Sequence, residues 1–308
     1  MTVASPASAS LPVPLARKAV LNRLGQSLWR VYAKHAIAIP TIGLCVLIAV
    51  NAQQAPALAF WLICACLTFA AFLAACRCFY TDFKNNAHIL LARLGRQPPV
   101  ASPDYVRALF DCYADEFEHH LMVELSYQAP NLILDIIGDR LKSAAPVIAD
   151  LGCGTGICGP LLVRRAGKLI GVDLSPKMLA LARRKNCYDQ LAEADITGFL
   201  KDRPGAVDVC IAADVLCYFG DLAAVFDAAC GAIKPGGLFA FTVETIEAEG
   251  WLLLPTGRYA HAQSYVAERA QQAGFSLAES KAAILRTQSG APVEGRVWLL
   301  QKPPVPER

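Results

Sequence analysis

The sequence predicts an α/β domain preceded by an apolar helical segment, and three observations carry that expectation. In residues 147–160, VIADLGCGTGICGP, a β-branched run ends on Asp150, three alternating glycines follow, and the apolar stretch Leu161, Leu162, Val163 comes next. That order reads as strand, tight turn and helix start. Further strand-like apolar runs recur at 168–173, 206–213 and 233–244, with helix-like stretches between them. Finally, no Asp, Glu, Lys or Arg occurs between Lys34 and Arg77, a run of 42 positions.

Taken in order, residues 1–34 open with an Ala-, Ser- and Pro-rich start that has little to bury, so a disordered or basic amphipathic N-terminus is expected. One helix through the 42 uncharged positions would be about 63 Å long, twice the thickness of a hydrocarbon core. Asn51, Gln53, Gln54 and Pro56 break it, which predicts a transmembrane helical hairpin over 35–80. Basic residues flank both ends and none lies in the connecting loop, placing both ends on the cytoplasmic face of the inner membrane. A linker over 81–102 then leads to a domain over 103–303. Residues 1–100 hold nine basic residues against one acid, and the remainder holds 20 against 25. The acidic balance of the larger part argues against nucleic acid as a partner. The twelve cysteines include no zinc-like CxxC pair, so no metal is expected.

Within 103–124 apolar residues at helical spacing predict an amphipathic helix or a broken pair, and residues 129–143 predict a second helix. The glycine turn is suited to a nucleotide-like ligand, because glycine permits positive φ and close approach while the following helix offers free N–H groups. Gly154, Gly156 and Gly159 also spell GxGxxG, so an NAD(P)-dependent oxidoreductase is an alternative on the glycines alone. An acid at the strand end fits poorly with a pyrophosphate approaching this turn. Asp173 ends the next strand 23 positions beyond Asp150, where a ribose-binding carboxylate should stand.

DLGCGTG resembles the D/ExGxGxG motif of class I S-adenosylmethionine-dependent methyltransferases, GVDLSPKMLALAR their second motif, AEADI their third, and IKPGGLFAFTVE their post-helix KPGG motif. The resemblance spans about residues 105–303, and the tail resembles a bacterial subgroup often fused to tetratricopeptide repeats, of which none occurs here. It implies a Rossmann-like fold with a seven-stranded, mostly parallel sheet and a reversed last strand. It also implies S-adenosyl-L-methionine as cofactor, with Asp150, Gly152, Cys153, Gly154 and Gly156 at its methionine end. Asp173 would serve the ribose, Leu174 and Met178 would flank the adenine, and Asp195 and Ile196 would meet the adenine edge. Tyr113 and Asp214 complete the expected cofactor contacts. Should the acceptor be a hydroxyl, His119, His120, His261 and Asp214 are candidate bases. The expected enzyme is a membrane-anchored methyltransferase with a small, possibly lipophilic, quinol- or lipid-like acceptor. The other alternative is a membrane scaffold that binds the cofactor without catalysis.

Overall fold

The computed structural model describes residue 90 and residues 94–305, except 142 and 289. The expected N-terminal segment 1–34, the hairpin over 35–80 and most of the linker lie outside the described residues. Among those described, no helix is long and apolar enough to cross a membrane.

The described chain opens with α1 (Pro103–Tyr113), then a short α2 (Phe117–His119) that runs into a π-helical turn (His120–Glu124), then α3 (Ala129–Ile137). β1 (Val147–Leu151), α4 (Gly159–Leu162), β2 (Lys168–Asp173), α5 (Pro176–Arg184) and β3 (Gln190–Glu193) follow. Next come α6 (Ile196–Lys201), β4 (Val207–Ala212), α7 (Ala223–Ala232) and β5 (Ile233–Thr245). The chain closes with β6 (Trp251–Leu253), β7 (Tyr259–His261), α8 (Gln263–Gln272), β8 (Ser276–Gln288) and β9 (Ala291–Gln301).

Local chemistry sets several of these boundaries. Ser102 accepts the Tyr105 N–H at 3.2 Å and Ser175 the Met178 N–H at 3.1 Å, each followed by a proline whose missing N–H costs nothing in a first turn. The helix expected over 129–143 ends earlier, at Ile137, because Gly138 adopts φ +51 and leaves the helical path.

β3, β2, β1, β4 and β5 lie side by side in that order, all parallel. β9 runs antiparallel to β5 from Leu238↔Gln301 to Glu244↔Gly295, and β8 pairs antiparallel with β9. These seven strands form the expected mostly parallel sheet with its reversed last strand. The expected count needs correction, however, since among the described residues the sheet has nine strands. β7 adds in parallel to the end of β5 at Glu244 and Thr245, and β6 pairs with β7. At three residues each, these two strands are too short to show a two-residue period.

The sheet buries both faces, which is why its central strands read as nearly continuous apolar runs. Ile148, Leu169, Val209, Ile211 and Leu299 pack against Ile133, Ile136 and Ile137 of α3 and Leu162 of α4. Their strand neighbours Ala149, Val172, Cys210, Phe239, Phe241 and Trp298 pack against α6, α7 and α8. At the junction of β5, β8 and β9, a Cβ on Gly295 would sit 2.5 Å from the Val243 carbonyl and closer still to Leu285. Since a paired strand cannot withdraw, Gly295→Ala is expected to cost about 1–3 kcal/mol. Urea denaturation checks this; an unchanged midpoint would show that the junction yields.

Candidate active site

A cleft of about 750 Å³, including its open mouth, lies at the carboxyl ends of β1, β2 and β4. Gly152, Gly154, Asp173, Leu174, Asp195, Ile196 and Asp214 line it, as does an apolar set comprising Val100, Val106, Phe110, Phe117, Val215, Tyr218 and Phe219. Gly152 takes φ +64, and a Cβ there would stand 2.6 Å from Val215 Cγ2, so only glycine keeps the turn against the cleft. Asp173 accepts the Gly154 N–H at 2.9 Å and the Ser175 N–H at 2.8 Å, one on each oxygen. Burial raises its pKa, and these N–H groups oppose the rise. Asp195 caps α6 through Oδ1, which accepts the Gly198 N–H at 3.0 Å.

Helix α1 is tied across the cleft by polar bonds to the loop after β2 and the first turn of α5. Arg107 Nε donates to the Leu174 carbonyl at 3.0 Å, Lys177 Nζ to the Asp111 carbonyl at 3.0 Å, and Ser175 Oγ to Asp111 Oδ1 at 2.5 Å. This docking brings Phe110 edge-on to Phe117 and Tyr218, at ring distances of 5.8 and 5.6 Å. The aromatic wall is therefore Phe110, Phe117 and Tyr218. Tyr113 is not among the lining residues; its ring packs on Phe117 and His120. The signal for Phe110 was present in the i, i+3, i+7 spacing of Pro103, Val106 and Phe110, all of which line the cleft.

Other expected site residues stand elsewhere. His119 is exposed and His120 half-buried, and neither lines the cleft. Met178 and Cys153 are buried outside the lining. A Cβ on Gly156 would meet Tyr188 at 2.9 Å, so this glycine serves packing beneath the turn. Asp150 is buried and accepts a hydrogen bond from Tyr188 Oη at 2.6 Å. Its pKa is raised to about 7, mainly by burial and further by Asp173, against the lowering effect of the Tyr188 bond.

Asp214 lies at the cleft with φ +60, its N–H donated to Thr242 Oγ1 at 2.9 Å. Its carboxylate belongs to a cluster of four charges, of which Glu244 and Arg286 are buried and Asp214 and Arg258 half-buried. Arg258 pairs with both Asp214 and Glu244, and Arg286 reaches Glu244 at 2.8 Å and Asp214 at 3.4 Å. Arg258 also lies 5.6 Å from the centre of the Tyr218 ring. His261 is fully buried, and Nε2 donates to the Phe219 carbonyl at 2.8 Å. Burial lowers its pKa to about 4.

These residues fit an S-adenosylmethionine-like ligand. Glycines leave the turn bare toward the cleft, two carboxylates can accept from hydroxyl and amino groups, and Leu174 and Ile196 offer apolar flanks to a planar base. The third glycine of GxGxxG has another explanation. A Cβ on Gly159 would meet Tyr188 at 2.9 Å and Cys187 at 3.0 Å, so that position is filled by protein from beneath.

Residues 149–241 match the family model described as a methyltransferase domain, in line with the motif resemblance to class I S-adenosylmethionine-dependent methyltransferases and with the cofactor that resemblance implies. Among curated proteins, the ubiquinone biosynthesis O-methyltransferase of Xylella fastidiosa is 30% identical over 116 residues, covering 36% of this chain and 47% of that protein. The enzyme of the same name from Chromobacterium violaceum is 27% identical over 168 residues, covering 47% and 71%. The chain thus spans about half the length of several curated relatives it matches. Among solved structures, the 1,6-didemethyltoxoflavin-N1-methyltransferase of Burkholderia thailandensis, holding S-adenosylhomocysteine, aligns with a TM-score of 0.52 at 18% identity, covering 67% and 93% of the two chains. The [4+2]-cyclase SpnF aligns at 0.56 and 16%, covering 68% and 98%. These two likenesses concern the fold.

Two outcomes follow from the buried charges. The folded-state pKa of His261 lies below the ordinary 6.5, so its contribution is complete above about pH 6.5 and is lost as pH falls through 4. Asp150, raised to about 7, acts oppositely: its contribution is present below 3.8 and lost as pH rises through 7. The difference between wild type and His261→Gln isolates the histidine. Stability curves should converge toward acid by up to about 3 kcal/mol between pH 6.5 and 4, and parallel curves would refute the assignment. Arg258→Met leaves Asp214 and Glu244 to Arg286 alone, with an expected loss of about 3–5 kcal/mol. Denaturant unfolding that shows less than 1 kcal/mol (roughly the worth of an exposed pair) would mean the cluster is dispensable.

Proposed function

We propose that this chain methylates a hydroxyl of a small, apolar, aromatic acceptor of quinol-like character, using S-adenosylmethionine. The observation that carries this reading is the division of the cleft lining. The glycine turn and carboxylates suit the cofactor, and Val100, Val106, Phe110, Phe117, Tyr218 and Phe219 form an aromatic and aliphatic wall suited to a flat apolar ring. The ubiquinone biosynthesis O-methyltransferase names of the curated relatives agree with a hydroxyl on such a ring.

The cofactor, when bound, supplies a methyl group already activated by its sulfonium. The protein's own part is alignment and exclusion of water. Phe110 and Phe117 are carried by the segment that crosses the cleft, and the bonds from Arg107, Ser175 and Lys177 fix that segment to the loop after β2 and the first turn of α5. Asp214 serves as an anchor in this reading, because a proton on its carboxylate would forfeit its pairs with Arg258 and Arg286. Membrane tethering through residues 35–80 is the finer part of the proposal. It rests on the uncharged run between Lys34 and Arg77 and would bring the cleft to lipophilic acceptors. A cofactor-binding protein with other chemistry is the second reading, favoured by the fold shared with a cyclase.

The test is transfer of label from methyl-labelled S-adenosylmethionine into lipid and cytosolic extracts and into a catechol probe. Label is expected in the organic-soluble fraction and on the catechol oxygen. Gly152→Ala should reduce transfer at least tenfold. Binding of S-adenosylhomocysteine without transfer to any acceptor would favour the second reading, and full recovery of the full-length protein in the carbonate-soluble fraction would remove the tether.

A further inference from the structure

Tyr188 stands in the loop between α5 and β3, 38 residues from the acid it touches, and belongs to none of the motifs that carry the superfamily resemblance. Its ring fills the space beneath the glycine turn. Hypothetical Cβ atoms on Gly156, Gly159 and Gly171 would each lie 2.9 Å from it, so β2, the turn and the start of α4 close around one aromatic side chain. Its hydroxyl donates at 2.6 Å to Asp150 Oδ2, at the end of the strand that feeds the turn. We propose that Tyr188 is a positioning residue of the cofactor site, which holds the Asp150 carboxylate and sets how much of its charge the glycine turn presents to the ligand. The inference rests on the reading of this cleft as the cofactor site.

The surroundings make that charge sensitive to one hydrogen bond. Asp150 is 1% exposed, so burial opposes its ionisation, and Asp173 on the neighbouring strand adds repulsion. Cys153 in the turn and Cys158 before α4 face it too, but burial raises both thiols and keeps them neutral near pH 7. The Tyr188 phenol is itself raised by burial and by Asp150, so it remains a donor across the accessible range. The Tyr188 bond is therefore the interaction that favours the ionised acid, against burial and Asp173. Since Asp150 ionises near pH 7, losing that donor raises its pKa and lowers the charged fraction at neutral pH. An ionised Asp150 favours a ligand that brings an ammonium group to the turn, as the amino-acid end of the cofactor does.

Calorimetric titration of the full chain with S-adenosylhomocysteine from pH 6 to pH 9 tests this. Wild-type affinity is expected to weaken several-fold as pH falls through about 7. In Tyr188→Phe, which keeps the ring, the midpoint should move up by about one unit. Affinity should then fall about threefold at pH 7.5 and return close to the wild-type value at pH 9. Asp150→Asn should abolish the pH dependence while its circular dichroism remains that of the wild type. Superimposable wild-type and Tyr188→Phe profiles, or a uniform loss at every pH, would reduce Tyr188 to packing and overturn the inference. A midpoint that persists in Asp150→Asn would overturn it as well. No binding by the wild type at any pH would instead overturn the cofactor reading, and the inference with it.

Discussion

Four charges at the carboxyl edge of the sheet, two of them buried and two half-buried, hold the cleft in shape. Asp214 follows β4, Glu244 closes β5, Arg258 precedes β7 and Arg286 lies on β8, so one cluster ties four separate parts of the chain. Glu244 is also where β5 changes partners, paired with Gly295 of β9 on one side and Ala260 of β7 on the other. A sheet that divides there has backbone groups and side chains to satisfy at one point. Buried pairs of this kind repay desolvation only when every member is matched, and the two acids and two guanidiniums match. Their registry fixes Asp214 at positive φ beside the cleft and keeps Arg258 against the Tyr218 ring. The apolar wall thus depends on a polar knot behind it.

The cofactor end is held by a different device. Ser175 caps α5 through the same hydroxyl that donates to Asp111, so the helix start after β2 and the segment crossing the cleft share one side chain. Asp173 gathers the Gly154 and Ser175 N–H groups, tying the glycine turn to that helix start. A change in the position of α1 would consequently be felt at Asp173, and ligand contact at Asp173 would be felt along α1. Such coupling follows from shared hydrogen bonds and needs no further mechanism.

The central fold could be read from the sequence because its causes are local. Strands buried on both faces leave apolar runs such as KLIGVD, and serine followed by proline marks the helix starts at Ser102 and Ser175. The apolar pattern instead carried this helix on to 143, past Gly138, whose φ of +51 ends α3 at Ile137. What was not legible has distant causes. Arg258 and Arg286 find Asp214 across 44 and 72 residues, and no period or spacing announces such partners. The choice of Phe110 over Tyr113 depends on how α1 is docked, which its polar bonds to Leu174 and Ser175 decide. His261 was a candidate base from its place between the fifth strand and the last helix, yet packing encloses it and its Nε2–H donates to the Phe219 carbonyl.

The glycine turn carries the clearest lesson about motifs. Its letters satisfy a dinucleotide fingerprint and a methyltransferase motif together, but the glycines are there for different reasons. Gly152 and Gly154 face the cleft, where a ligand needs bare backbone, while Gly156 and Gly159 face inward and leave room for Tyr188. A pattern match counts all of them as evidence for a ligand, whereas only the first two bear on one. Once the inward pair is assigned to the tyrosine, the case for a pyrophosphate loses its second and third glycines. The acid at the strand end then acquires a partner of its own beneath the turn, and the ligand-facing half of the motif is the part that agrees with Asp173 and Asp195 in the same cleft.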